Sequence, residues 1–322
     1  MSDTAFKPRF GLANKHLQTA FRVIFKPEFR PSENCLYEEI LLQLSDGDYL
    51  WLEHNRPDKW NGWYLVLIHG MEGDSGSHYM LSMAGSAAGR GYGVIRMNMR
   101  NCGKGLGYAS RPYNAGKTDD LQEVVDFVHS NLSKNIFISG YSLSANLVLK
   151  YFGEKRNHKA AGFSAVSPPF HLHNTCNYID SWRGLFYRKR FLGQLTAKVK
   201  NGFFPAYTGQ IKFPTFYSFD DRVTAPLSGY KNAADYYNKC SAIRFLGLIR
   251  HRGIVIHSTD DPVVPAQDWL DIQWEKQPNL KTVITSRGGH LGFICKKTPD
   301  IPDGRWLDRI ILNYFDNEIN KT

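Results

Sequence analysis

Long hydrophobic runs are absent from this sequence of 322 residues. No stretch of eighteen or more apolar residues occurs, which argues against a membrane-spanning helix. The first segment, MSDTAFKPRFGLANKH, also lacks the apolar centre of a secretory signal peptide. We therefore expect a cytoplasmic protein. Apolar residues still make up 42% of the chain and charged residues 22%, so a sizeable globular core is predicted.

Cysteine is scarce, and its spacing argues against the common cysteine-based sites. The five cysteines are scattered along the chain, and no two of them form a Cys-x-x-Cys pair. This pattern favours reduced thiols in a cytoplasmic setting over disulfides or a zinc site. The glycines between Gly103 and Gly107 have the spacing of neither nucleotide-binding loop, so no phosphate site is predicted.

Acidic residues are outnumbered by basic ones, 30 against 40, which gives a net charge of +10. Such a balance favours anionic partners. Because no compact basic cluster or recognised nucleic-acid motif occurs, nucleic acid is not expected as a partner. A diffuse basic surface in peripheral contact with an anionic membrane is the more cautious interpretation.

Short β-branched and aromatic runs alternate with segments of helical periodicity over most of the chain. Two runs at 38–44 and 49–52 flank an Asp-Gly pair, which predicts an antiparallel hairpin. Continuous apolar runs begin at 63, 93, 135, 160, 253 and 282, as buried parallel strands require. The alternation predicts an α/β fold with a mostly parallel, doubly wound sheet and an antiparallel N-terminal edge.

Residues 170–246 interrupt this alternation. They are aromatic, basic and mostly helical in pattern. We predict that they form an inserted helical cap, or lid, over the carboxyl edge of the sheet, while residues 1–169 and 247–322 form the α/β core. The basic face of such a cap is more often a solvated surface than a lipid-binding one.

The candidate nucleophile is Ser142, which lies where a buried strand breaks at Gly140 and resumes as a helix. A strand turning sharply into a helix is the layout of a nucleophile elbow, in which the turn projects the hydroxyl above the sheet. The motif here is Gly-x-Ser-x-Ser and not the usual Gly-x-Ser-x-Gly. Taken alone, it fits equally well a serine that only caps a helix.

The candidate oxyanion donors are two backbone N–H groups. The helix after Ser142 begins near Leu143, whose N–H and dipole end would face a developing negative charge. His69-Gly70 follows the strand at 63–68, and its turn would bring the N–H of Met71 to the same place. The alternative is a glycine turn that only closes the strand.

The candidate acid and base follow two later strands. Asp260 and Asp261 come after the strand at 253–257, and His290 lies between glycines after the strand at 282–285. We prefer Asp261 because its spacing to Pro265 resembles the usual acid loop, with Asp260 as the competitor and Asp180 a distant third. Ser142, Asp261 and His290 then occur in the chain order of an α/β-hydrolase triad.

Seven motifs, four of which contain these candidate residues, are spread along the chain: Asn14-x-His16-Leu17-Gln18-Thr19, His69-Gly70-x-x-Gly73, Arg100-x-Cys102-Gly103, Gly140-Tyr141-Ser142-Leu143-x-x-Asn146, Phe219-Asp220-Asp221-x-Val223-Thr224-Ala225-Pro226, Asp260-Asp261-Pro262 and Gly288-Gly289-His290-x-Gly292. On these motifs the chain, from about residue 9 to about 316, resembles the YheT-like branch of the α/β-hydrolases, which is similar to the α/β-hydrolase-domain lipases and esterases. At Ser144-Ala145 it departs from the two glycines usual in that family.

The resemblance implies a carboxylic-ester hydrolase that acts on a small-molecule acyl ester without metal or cofactor. Ser142 would form an acyl-enzyme, His290 would move the proton, and Asp261 would orient the imidazole. The second hypothesis is a catalytically weak or silent protein that binds a lipid or acyl ligand, which the altered elbow motivates. The physiological substrate, its acyl-chain length and the oligomeric state are left open.

Overall fold

An eight-stranded sheet runs through the molecule in the computed structural model, which describes residues 6–24, 35–154, 156–301 and 303–321. The strands are β1 (Cys35–Gln43), β2 (Tyr49–Pro57), β3 (Trp63–Ile68), β4 (Gly93–Met97), β5 (Asn135–Tyr141), β6 (Gly162–Val166), β7 (Arg252–Ser258) and β8 (Leu280–Thr285). Their order is β1-β2-β4-β3-β5-β6-β7-β8. β2 pairs antiparallel with β1 and β4, and the other neighbours pair in parallel. The predicted sheet with its antiparallel N-terminal edge is therefore confirmed.

The helices lie between the strands and at both ends of the described chain. They are α1 (Lys15–Ile24), α2 (His78–Ala88), α3 (Thr118–Asn131), α4 (Leu143–Gly153), α5 (Leu172–Asp180), α6 (Leu185–Lys200), α7 (Phe216–Phe219), α8 (Ala225–Leu227), α9 (Ala233–Cys240), α10 (Gln267–Leu270) and α11 (Trp306–Ile319). A π-helical segment, Asp220–Thr224, joins α7 to α8. Helix α10 is only a single turn. None of the described helices is both long and apolar enough to cross a bilayer.

Apolar cores lie on both faces of the sheet. Along β3, Leu65 and Leu67 belong to one core, and Val66 and Ile68 belong to the other. This division follows from the alternation of side chains along a strand. Helices α2 and α11 supply the first core, whereas α3 and α4 supply the second. Burial on both faces explains why β3 reads as a continuous apolar run, and it confirms the doubly wound arrangement.

Residues 170–246 lie between β6 and β7 and contain α5 to α9, with no strand in that fully described stretch. Their buried apolar side chains, such as Leu172, Leu195 and Phe219, belong to the core that α3 and α4 supply. The helical content is as predicted. The division of the chain into a core and a separate cap stays a prediction.

A buried ion-pair cluster fixes the turn between β1 and β2. The guanidinium of Arg100 donates to Asp46 at 2.8 Å, to Asp48, and to both carboxylate oxygens of Asp120 at 2.7 Å. Asp46 and Asp48 belong to the hairpin turn, and Asp120 lies on α3. Arg100 therefore joins the antiparallel edge of the sheet to a helix on its face.

We expect Arg100→Met to lower the free energy of unfolding by about 3 to 5 kcal/mol, because three carboxylates would lose their common buried cation. Urea denaturation followed by circular dichroism measures the change. The exposed Arg250→Gln serves as the control and is expected to alter stability by less than about 0.5 kcal/mol. Equal midpoints for the two variants would contradict the assignment of a stabilising role to this cluster.

Candidate active site

Ser142 lies in a strained turn between β5 and α4. Its backbone has φ 57° and ψ −119°, and residues other than glycine rarely adopt a positive φ. The N–H of Ser142 donates to the carbonyl of Val166 at 2.8 Å, which holds the turn against β6. A Cβ on Gly140 would come within 2.5 Å of the Ser144 carbonyl oxygen, so the turn requires glycine there. The strand–turn–helix arrangement is the one expected of an elbow.

Ser144, which stands where the family usually has glycine, bonds at both sides of the elbow. Its buried hydroxyl donates to the carbonyl of Ile68 at 2.6 Å and accepts the N–H of Tyr141 at 2.8 Å. Ile68 is the last residue of β3, and Tyr141 is the last of β5. The departure in sequence thus supplies a link between the two strands that carry the elbow and the His69-Gly70 turn. Ala145 fits fully buried beside it.

The structure brings Ser142, His290 and Asp261 together in one chain of hydrogen bonds. Nε2 of His290 lies 2.9 Å from Oγ of Ser142, and Nδ1 lies 2.8 Å from Oδ2 of Asp261. The other Asp261 oxygen accepts the N–H groups of Val263 and Val264 at 2.8 and 2.9 Å. Burial disfavours the Asp261 carboxylate, but the nearby His290, these N–H groups and His257 together hold the pKa of Asp261 below its ordinary value.

The two competing acids have other partners. Asp260 accepts the N–H of Gly289 at 2.9 Å and so supports the turn before His290. Asp180 accepts the N–H groups of Phe216 and Tyr217 at 2.8 and 3.1 Å, at the start of α7. Of the three candidate acids, Asp261 is the one within hydrogen-bond distance of the His290 ring.

Helix α1 holds the loop that carries His290, a role that sequence reasoning missed. Oγ1 of Thr19 accepts the His290 N–H at 2.9 Å, and Gln18 exchanges two hydrogen bonds with the backbone of Ile294. A Cβ on Gly292 would lie 2.4 Å from the Gln18 carbonyl, so glycine lets the loop reach the helix. The signal was present in the sequence, because Gln18 and Thr19 are adjacent polar residues within the N-terminal motif.

The His69-Gly70 turn is fixed from several sides. His69 contacts the Gly70 carbonyl through Nδ1 at 2.7 Å and accepts the Met99 N–H through Nε2 at 3.0 Å. These partners require a neutral ring with its proton on Nδ1, and burial lowers the pKa of His69 to about 4. The Gly70 N–H donates to the Tyr79 hydroxyl at 2.9 Å. A Cβ on Gly70 would lie 2.9 Å from that of Ser142.

The two candidate oxyanion donors, Met71 and Leu143, line the same cavity as Ser142. Within the described residues, neither backbone N–H donates to a protein acceptor. Unpaired N–H groups beside a nucleophile are what a developing oxyanion needs. Their role stays a prediction.

An ion pair connects this turn to α6. Oε1 of Glu72 accepts from Nζ of Lys198 at 2.7 Å and from the Tyr113 hydroxyl at 2.8 Å. The Tyr113 hydroxyl also accepts the Glu72 N–H at 3.1 Å. Because Glu72 follows Met71 directly, a cationic side chain from the 170–246 region fixes the position of a candidate oxyanion donor.

A cavity of about 340 Å³ opens above Ser142 and His290. Its lining includes apolar and aromatic side chains of α5, α6, α7 and α9, among them Leu172, Ile179, Phe191, Leu195, Phe216 and Tyr236. Asp220 is one of several charged residues in the lining: it accepts the Tyr237 hydroxyl at 2.7 Å, and burial raises its pKa to about 6. The volume and lining suit an apolar chain better than a charged ligand.

Comparison with known proteins places this chain in a family. The family model described as the alpha/beta hydrolase fold matches residues 64–296. The chain is 30% identical over 312 residues to the YheT protein of Escherichia coli (strain K12), covering 91% of this chain and 88% of that protein. It is 28% identical over 273 residues to a monoacylglycerol lipase of Saccharomyces cerevisiae, covering 79% and 60%. The Pyrococcus furiosus esterase Pf2001 superposes with a TM-score of 0.60 over 99% of both chains; at 18% identity it shows the fold alone.

We expect Ser144→Ala to lower the free energy of unfolding by about 1 to 3 kcal/mol, because the buried Ile68 carbonyl and Tyr141 N–H would lose their shared partner. Urea denaturation measures the change. Ser110→Ala, which removes an exposed hydroxyl, is the matched control and should be nearly neutral. An unchanged stability of Ser144→Ala would show that the hydroxyl does not link the strands.

Asp220 makes stability depend on pH in a defined direction. Its folded-state pKa of about 6 exceeds the ordinary value of 3.8, so the folded state binds more protons between these values than the unfolded state does. The favourable contribution is complete below pH 3.8 and is lost as pH rises through 6. Compared with Asp220→Asn, the wild type should therefore lose about 1 to 3 kcal/mol of stability between pH 4.5 and 7.5.

Urea unfolding of both proteins at the two pH values measures this difference, in which the contributions of all other groups cancel. Asn retains a carbonyl that accepts from Tyr237. The variant Asp58→Asn, at an exposed residue, is the control. Its free energy of unfolding should change between the two pH values by the same amount as that of the wild type. The same change for Asp220→Asn as for the wild type would contradict the prediction.

Proposed function

The chain belongs to the YheT-like branch of the α/β-hydrolase family, and from that premise we propose that it is a serine hydrolase that cleaves carboxylic acyl esters. The observation that carries the proposal is the hydrogen-bonded sequence from Ser142 through His290 to Asp261, with distances of 2.9 and 2.8 Å. It lies at the base of an apolar cavity. Nucleophile, base and orienting acid in this geometry are the requirements of acyl transfer.

In the first half of the reaction, His290 Nε2 takes the Ser142 proton as Oγ attacks the carbonyl carbon of the ester. The carbonyl oxygen becomes an oxyanion, which the N–H groups of Met71 and Leu143 would stabilise. The bond to the alcohol oxygen then breaks, and His290 returns the proton to the departing alcohol. The acyl group stays on Ser142.

In the second half, water takes the place of the alcohol. His290 accepts a proton from water, the hydroxide attacks the acyl carbon, and the same N–H groups would stabilise the second oxyanion. Release of the carboxylic acid returns the proton to Ser142. Because its pKa is lowered, Asp261 stays ionised at neutral pH, holds the Nδ1–H and stabilises the imidazolium in both halves.

The cavity favours a lipase-like substrate with an apolar acyl chain. Its lining residues are mostly aromatic and aliphatic, and its volume of about 340 Å³ holds a chain of several methylene groups. The similarity to a monoacylglycerol lipase supports the same substrate class. The proposal needs no metal or cofactor, since the ester, Ser142, His290 and water supply every atom and proton that is transferred.

The second hypothesis, a catalytically weak or silent protein that binds a lipid or acyl ligand, rested on Ser144-Ala145. The hydrogen bonds of Ser144 to the ends of β3 and β5 support the hydrolase instead, because they accommodate the departure without displacing Ser142. We also propose a cytoplasmic setting. In addition we propose peripheral contact with an anionic membrane, because the net charge of +10 favours anionic partners.

A fluorophosphonate probe is expected to label the wild type at Ser142, and the wild type should hydrolyse p-nitrophenyl esters. Ser142→Ala should remove labelling and lower the hydrolysis rate by at least about ten-thousandfold, because the nucleophile is gone. Labelling followed by peptide mass spectrometry and a steady-state assay measure both. Persistent hydrolysis by folded Ser142→Ala would exclude the mechanism, and a folded wild type that resists labelling would favour the ligand-binding hypothesis.

The matched pair Asp261→Asn and Asp260→Asn identifies the acid. Asp261→Asn should lower kcat by about a thousandfold or more, since the His290 tautomer and imidazolium lose their partner. Asp260→Asn keeps an acceptor for the Gly289 N–H and should lower kcat by less than about tenfold. The reverse order of effects would assign the role to Asp260.

A further inference from the structure

The segment between Ser181 and Phe219 contains seven basic residues and no acidic one. Within the described residues, one of the seven, Lys198, forms an ion pair, and its partner is Glu72 from outside the segment. The remaining six are Arg183, Arg188, Lys189, Arg190, Lys200 and Lys212. The carboxylates that border the segment are few: Asp180 accepts the N–H groups of Phe216 and Tyr217, and Asp220 accepts the Tyr237 hydroxyl. The basic residues still outnumber them, which produces a positive field at this surface.

Large apolar side chains are exposed at the start of the same segment. Trp182 is 81% exposed, Phe186 71% and Leu185 52%. Single exposed apolar residues are ordinary, but a group of them on one short stretch marks an interaction surface. We call the surface formed by Trp182, Arg183, Leu185, Phe186 and Lys189 the rim.

The rim borders the mouth of the cavity. Arg190 and Gln194 are exposed and also line the cavity, so they mark where it opens to solvent. Phe186 lies one helical turn before Arg190 on α6, and side chains four residues apart share a helix face. A molecule held at the rim would therefore face the opening above Ser142.

Helix α1 adds to the same side of the molecule. The Nδ1 of His16 lies 3.0 Å from the hydroxyl of Tyr187, the residue after Phe186, and the two rings stack. The neighbouring Leu17 is 51% exposed. Thr19 of α1 and Tyr187 of α6 both line the cavity, so two helices that are far apart in sequence meet at its wall.

We propose that the rim docks the protein on an anionic lipid bilayer, with the cavity mouth facing the membrane. Aromatic side chains insert at the boundary between headgroups and acyl chains, while lysine and arginine remain among anionic headgroups. Both chemistries are present on the rim. A basic surface for nucleic acid alone would not explain an exposed leucine and tryptophan beside an apolar cavity.

Docking would deliver the substrate as well as hold the protein. An ester with a long apolar chain partitions into a bilayer, and the lining between the mouth and Ser142 is mostly apolar. The apolar chain of the ester could then pass from the membrane into the cavity without crossing water. This delivery rests on the proposed ester hydrolysis, whereas docking itself does not.

Sedimentation with vesicles tests docking, using phosphatidylcholine alone and phosphatidylcholine mixed with 30% phosphatidylglycerol. The wild type and Ser142→Ala are expected to bind the anionic vesicles equally, and raised salt should weaken binding. Trp182→Ser with Phe186→Ser should weaken it by at least about tenfold. Arg183→Gln with Lys189→Gln should weaken it by about tenfold, with the larger loss at low salt.

Two double variants at distant surfaces are matched controls. Lys134→Gln with Arg250→Gln removes the same charge before β5 and β7, at the opposite edge of the sheet, and Leu41→Ser with Leu248→Ser removes exposed leucines. Both should bind as the wild type does. Unchanged vesicle binding by the rim variants, or equal binding to neutral and anionic vesicles, would overturn the proposal. Rim-dependent binding of nucleic acid or self-association in place of vesicle binding would overturn it as well.

Hydrolysis separates docking from the proposed function. The Trp182→Ser, Phe186→Ser variant should cleave soluble p-nitrophenyl butyrate at the wild-type rate but cleave a long-chain ester in anionic vesicles at least about tenfold more slowly. Rim-dependent binding by a protein without ester hydrolysis would support docking and reject the hydrolase. Ester hydrolysis with no rim-dependent binding would support the hydrolase and reject docking.

Discussion

Two turns of the chain approach each other closely at the carboxyl edge of the sheet, and the geometry of the site follows from that contact. A Cβ on Gly70 would lie 2.9 Å from the Cβ of Ser142, so the turn after β3 can sit against the elbow only because it carries glycine. The Ser144 hydroxyl donates to the last carbonyl of β3, while His69 and Tyr79 fix the turn through hydrogen bonds to Met99 and Gly70. Rigid turns at this distance keep the candidate nucleophile beside unpaired backbone N–H groups before any substrate arrives, which is the preorganisation that acyl transfer requires.

Polar contacts connect these turns to parts of the chain that lie outside the sheet. Lys198 of α6 reaches Glu72 beside the candidate oxyanion donor, and Thr19 of α1 holds the backbone of His290. Helices α1 and α6 also contact each other through His16 and Tyr187. Polar contacts therefore connect the cavity wall to the candidate catalytic groups. A displacement of either helix would move Glu72 or the backbone of His290.

Much of this architecture could be predicted, because strong local signals agreed with the global fold. Buried parallel strands gave continuous apolar runs, an Asp-Gly turn marked the hairpin, and the motifs identified the family, which similarity to known proteins confirms. The order of Ser142, Asp261 and His290 was readable, and the spacing of Asp261 to Pro265 favoured it over Asp260, but the sequence could not show where either carboxylate points. Adjacent residues point in different directions, and only coordinates show that Asp260 turns toward Gly289. The partners of Ser144, Lys198 and Thr19 lie 76, 126 and 271 residues away, distances over which local pattern carries no information.

The hydrogen bonds between α1 and the His290 loop determine when the site can assemble during synthesis. Gln18 and Ile294, which are hydrogen-bonded to each other, are separated by 276 residues, so their contact cannot form until the chain through Ile294 has been made. On the ribosome, the strands up to β6 can begin to associate while the chain is still emerging, but the histidine can be set against Ser142 only after β8 has been made. A nascent chain that ends before β8 would hold Ser142 without His290, so the order of residues itself delays assembly of the candidate site until β8 and the loop after it have been made.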